Sequence, residues 1–64
     1  MDFTKLMIIT GMTMKDLHEI PKKALYNIIK VMEDRLYGSW LPEAQRTDIE
    51  YQINCYNELM LTAK

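Results

Sequence analysis

The residues of this chain that could do chemistry are few. Cys55 is its one cysteine and His18 its one histidine, and covalent catalysis needs such a nucleophile and base converging with an orienting group in a water-poor pocket. The spacing instead puts His18 in a short exposed segment and Cys55 inside the last apolar-periodic run, where it reads as a small buried hydrophobe. Glu43, Asp48 and Glu50 would have to pair across a cleft to act as acid and base, and a chain of 64 residues has little room for one. One Cys and one His cannot complete a four-ligand zinc site without carboxylates or a second chain. A lone cysteine also excludes an internal disulfide. Gly11 and Gly38 are the only glycines, so there is no glycine-rich phosphate loop. No catalytic, cofactor-binding or metal-ligating residue is assigned, and an enzyme is not expected.

The elements that must position these side chains are marked by punctuation. An apolar-periodic run extends from Pro21 to Tyr37, followed by Gly38-Ser39-Trp40-Leu41 and a second run from Pro42 to about residue 62. Proline pre-sets the helical φ and lacks an N–H that would be orphaned at a helix start, while glycine just past a helix end accepts φ > 0. Two long helices over 21–37 and 42–62, joined by a turn at 38–41, follow from that pattern. In the first, Leu25, Ile28, Ile29, Met32 and Leu36 share one stripe, widened by Ala24 and Val31. Lys23, Asn27, Lys30 and Asp34 lie opposite. In the second, Ile49, Ile53, Tyr56 and Met60 form a stripe that Ala44, Cys55 and Leu59 extend to one side, with Tyr51 and Leu61 outside it. That arc is wider than one antiparallel neighbour can cover. Trp40 is expected to pack back over the open end of the hairpin as core.

Residues 1–20 read as a shorter helical unit. Leu6-Met7-Ile8-Ile9-Thr10 has some strand character, but a helix from about Asp2 to Thr10 is favoured because Gly11 can then serve as its left-handed C-terminal cap. Thr13 and Asp16 are spaced as a capping box for a second short helix, which ends before Pro21. The fold class expected is all-α, a single domain of two short N-terminal helices followed by an antiparallel hairpin. A domain this small buries a modest fraction of its surface. With no disulfide or metal to help, the surplus apolar arc of the two long helices predicts a homodimer.

Composition narrows the partners. The formal net charge is −1, with acids and bases interspersed. Phosphate affinity needs clustered Lys and Arg, and the nearest cluster is Lys22-Lys23. No stretch approaches a membrane span, and Met1-Asp2-Phe3 does not open a signal peptide. A cytoplasmic location is expected. Phe3 to Ile20 can be laid on a helix-turn-helix, with Gly11 in the turn and Lys15, Asp16, His18 and Glu19 outward on the second helix. Two carboxylates on a base-reading face would repel phosphate, and Pro21 cuts that helix short. Nucleic acid is therefore not favoured. If DNA were bound, Lys15, Lys22 and Lys23 would be its contacts.

Six methionines and four tyrosines point instead to protein recognition. Methionine adapts to irregular surfaces, and tyrosine suits the margin between core and interface. Met12 and Met14 flank Thr13 and, with Met7, could form an apolar patch. Tyr26 and Tyr37 share one flank of the first long helix, with Glu33 between them. These four, Met12, Met14, Tyr26 and Tyr37, are the candidate partner contacts. The function expected is a small non-catalytic module that binds and modulates another protein, as an inhibitor or adaptor of the size met in phage or mobile elements. The alternative is a small dimeric helix-turn-helix transcriptional regulator, and a third possibility is an assembly subunit that pairs with itself.

Overall fold

The computed structural model describes residues 2–63. Its order is α1 (Thr4–Thr10), α2 (Met14–His18), α3 (Lys22–Gly38) and α4 (Glu43–Met60), with no strand among the described residues. The segment with strand character is thus helical. α1 opens later than Asp2, because the Asp2 carboxylate acts from outside the helix: it accepts the Thr4 N–H at 2.9 Å and the Thr4 hydroxyl at 2.6 Å. Those contacts hold the Asp2 carboxyl below its ordinary value of 3.8. Gly11 ends α1 at φ 71°, and its N–H reaches the Met7 carbonyl at 2.8 Å. The capping box of α2 is complete, with Thr13 Oγ1 accepting the Asp16 N–H and the Asp16 carboxylate accepting the Thr13 N–H, each at 3.2 Å.

Both long helices begin one residue later than their prolines suggest. Pro21 (φ −63°, ψ 150°) and Pro42 (φ −57°, ψ 152°) are extended, and their carbonyls accept the N–H of Leu25 and Arg46 at 3.0 Å. Each proline therefore supplies the first helical acceptor while standing just outside the helix. Gly38 corrects the expectation at the other end of α3. It is the last helical residue rather than a left-handed cap, and Gly11 is the only glycine with positive φ among the described residues. The helix stops instead where Ser39 turns extended.

α3 and α4 pack on each other as the hairpin. Leu25, Ile29 and Leu36 of α3 and Ile49, Ile53 and Tyr56 of α4 are buried in one cluster, with Ile28, Met32 and Met60 half-buried against it. Leu6 of α1 and Leu17 of α2 are fully buried in the same cluster, beside Cys55 and Leu59. The wide apolar arc of α4 is accordingly filled within the chain. Tyr51, Cys55 and Leu59 recur every four residues, so they form a row on one side of α4. That row carries the N-terminal unit: the Tyr51 hydroxyl donates to the Asp2 carbonyl at 2.8 Å and accepts the Leu6 N–H at 3.2 Å. Lys5 adds an ion pair to Asp48, and its ammonium lies 5.5 Å from the centre of the Tyr51 ring. Ala44, expected to extend the arc, is exposed on the first turn of α4.

Candidate interaction surface

The turn end of the hairpin holds the largest aromatic groups left in solvent. Trp40 is 82% exposed and Tyr37 80%, which overturns the expectation that Trp40 closes the core. The chain leaves α3 extended at Ser39 and meets α4 extended at Pro42, and neighbouring side chains along such a path point to different sides. Leu41 is half-buried against the core, so Trp40 projects outward. It stands between two shallow hollows. One is lined by Leu36, Tyr37, Gly38 and Ser39, the other by Leu41, Glu43 and Thr47, and both reach Arg46 and Glu50 on α4. Arg46 and Glu50 lie one helical turn apart. They give the aromatic pair a charged floor with one donor and one acceptor side chain.

The other candidate residues are dispersed. Tyr26 is 55% exposed on the flank of α3 it shares with Tyr37, but it does not line the turn-end groove. Met12 and Met14 are half-buried against the core, as is Met7. Together with Met32 and Met60 they form a methionine shell around the buried cluster. Met1 lies outside the described residues. Lys15, Lys22 and Lys23 are exposed, and so are Asp16 and His18 on the same short helix as Lys15 and Glu19 just past its end. α2 has only five residues, Met14–His18, too short to lie far along a groove.

The chemically reactive pair is not assembled into a site. Cys55 is fully buried, whereas His18 is exposed at a surface depression lined by Glu19, Ile20, Pro21 and Thr62. Among the described residues no three His, Cys, Asp or Glu side chains are grouped to hold a metal ion, and no helix is long and apolar enough to cross a membrane. Burial raises the hydroxyls of Tyr51 and Tyr56 above their ordinary value of 10.0, and the Cys55 thiol pushes each the same way. These shifts mark packing between α4 and its neighbours. Sequence reasoning missed Trp40 as a surface residue and Tyr51 as the seat of α1. The four-residue spacing of Tyr51, Cys55 and Leu59 was the available signal for the second of these.

Comparison with family models, with curated proteins and with solved structures finds no match for this chain.

Proposed function

We propose that this protein is a small dimeric, non-catalytic interaction module that binds another protein and modulates it as an inhibitor or adaptor. The observation that supports this is the grouping of Tyr37, Trp40 and Arg46 on one groove at the hairpin turn. Tryptophan, tyrosine and arginine are the residue types most enriched among those that dominate binding energy at protein interfaces. An exposed indole forgoes roughly 2–3 kcal/mol of burial, which a pocket on a partner would recover. In the bound state the Trp40 ring fills that pocket and Tyr37 packs beside it. Arg46 and Glu50 then form the polar rim and fix orientation.

The test is affinity capture from native cells with the original chain and with Trp40→Ala, each with and without nuclease and at low and high salt. A protein held stoichiometrically by the original chain, resistant to nuclease and salt and lost with Trp40→Ala, supports this function. Recovery of nucleic acid that disappears at high salt, and on charge reversal at Lys15, Lys22 or Lys23, would replace it with the helix-turn-helix regulator.

A further inference from the structure

The hairpin and the N-terminal unit bury Ile49, Ile53, Cys55, Tyr56 and Leu59 of α4, yet they leave one face of α3 uncovered. Val31 is 62% exposed, and Ala24, Ile28 and Met32 beside it are half-buried. Asn27, Ile28, Val31, Met32 and Arg35 line a shallow apolar hollow there. At about 100° per residue, Val31 lies roughly 140° around α3 from the Leu25–Ile29–Leu36 stripe that meets α4. A second helix can therefore dock on this face without displacing α4.

The edge of that face says what docks. Reading along it, Lys23, Asn27, Lys30 and Asp34 are all exposed, and Lys23 and Asp34 stand about three helical turns apart on the same side. Laid antiparallel against itself about a two-fold axis between Ile28 and Ile29, this edge is self-complementary. Lys23 meets the partner's Asp34, and Asn27 meets the partner's Lys30, with both contacts repeated by symmetry. That register leaves the two Ile28 side chains about 1.5 Å out of level across the axis and Ala24 about 3 Å out of level with the partner's Val31, near enough for a small residue to lie beside a larger one. Parallel pairing about a two-fold axis would instead carry the two copies of this edge to opposite flanks of the contact, where Lys23 and Asp34 have no counterpart to meet. From this arrangement we infer that the occupant of the α3 face is a second copy of this chain, bound antiparallel in this register. This rests on the dimeric part of the function proposed above and adds its face and geometry.

A contact between two single helices is at the small end of stable interfaces, so association is concentration-dependent. Sedimentation equilibrium across the micromolar range, with circular dichroism as a check on folding, is the first measurement. The original chain and Trp40→Ala should both dimerise, and Val31→Asp should remain helical and monomeric. Lys23→Asp and Asp34→Lys should each weaken self-association roughly tenfold, since each places like charges opposite one another twice. Mixed together, these two variants should pair with each other, and the double variant should self-associate like the original chain. A dimer indifferent to Val31→Asp and to the charge exchange would overturn the α3 face while leaving a dimeric protein. A mass that stays monomeric up to about 1 mM, far above the affinity of even a weak specific dimer, would overturn both.

Discussion

The Tyr51 hydroxyl donates to the Asp2 carbonyl and accepts the Leu6 N–H, so one side chain of α4 satisfies a donor at the start of α1 that no helical carbonyl can reach. Tyr51→Phe removes both bonds without emptying the site. It should lower stability in urea unfolding, since the Leu6 N–H loses its acceptor, and speed amide exchange in α1 more than in α3. The pH dependence follows from the same residue and from Tyr56. Both hydroxyls lie above the ordinary 10.0 in the folded chain, so the unfolded chain ionises first. Their contribution to stability is intact below pH 10 and is lost as pH rises beyond it. Alkaline unfolding followed by tyrosinate absorbance and helicity should show one cooperative loss in that range, shifted to lower pH in chains already weakened at α1. Both glycines were expected to be left-handed helix ends, and only one of them is. Gly11 has φ 71°, and Gly38 is right-handed with open space where a Cβ would be. Gly11→Ala should cost about 1–2 kcal/mol, whereas Gly38→Ala should raise stability by about 0.5–1 kcal/mol. Thermal denaturation of the two variants decides it, and equal effects would place the left-handed residue wrongly.

At the scale of elements, stability is unevenly spread. α3 and α4 share a continuous packed seam, while α1 and α2 each fully bury one leucine, Leu6 and Leu17, and are otherwise held by half-buried side chains such as Met7 and Met14, the Tyr51 hydroxyl and local caps. Thr13→Ala removes the acceptor of the Asp16 N–H and should cost about 1 kcal/mol, with faster exchange confined to α1 and α2 and the hairpin amides unchanged. The devices legible in the sequence are the local ones. The prolines at 21 and 42, the left-handed Gly11 and the Thr13–Asp16 box each act within a few residues, and the i, i+3, i+4 stripe of Leu25, Ile29 and Leu36 depends on helical period alone. The rest was hidden because it depends on which surfaces meet. Whether Trp40 or Leu41 turns inward is decided by the path of the connection between the two long helices. The wide arc of α4 pointed to a second chain, yet α1 and α2 fill it, because nothing in periodicity distinguishes an intrachain neighbour from another copy. Tyr51 lay outside the main stripe for the same reason, being aligned with Cys55 and Leu59 toward α1 and not toward α3.

For the molecule as a whole, a buried cluster of ten residues must hold 64 in place, and domains of this size have little stability to spare. Association through the α3 face would supplement it, because a dimer that forms only from folded chains draws the equilibrium away from the unfolded state. The effect has a definite form. Where dimer predominates, each tenfold rise in concentration adds about 0.7 kcal/mol per chain, half the free energy of a tenfold change in an equilibrium constant. For a domain this small that corresponds to a rise in Tm of about 3–6 °C per decade. Val31→Asp removes an exposed side chain from no part of the core, so its Tm should match that of the original chain at low concentration and stay flat as concentration rises. Ile29→Asp, which puts a carboxylate into the buried seam, should abolish the helical signal at every concentration. Scanning calorimetry of the original chain and Val31→Asp over two decades of concentration separates the alternatives. Diverging curves place part of the stability of this fold in a second copy, and coincident curves require the cluster within one chain to account for all of it.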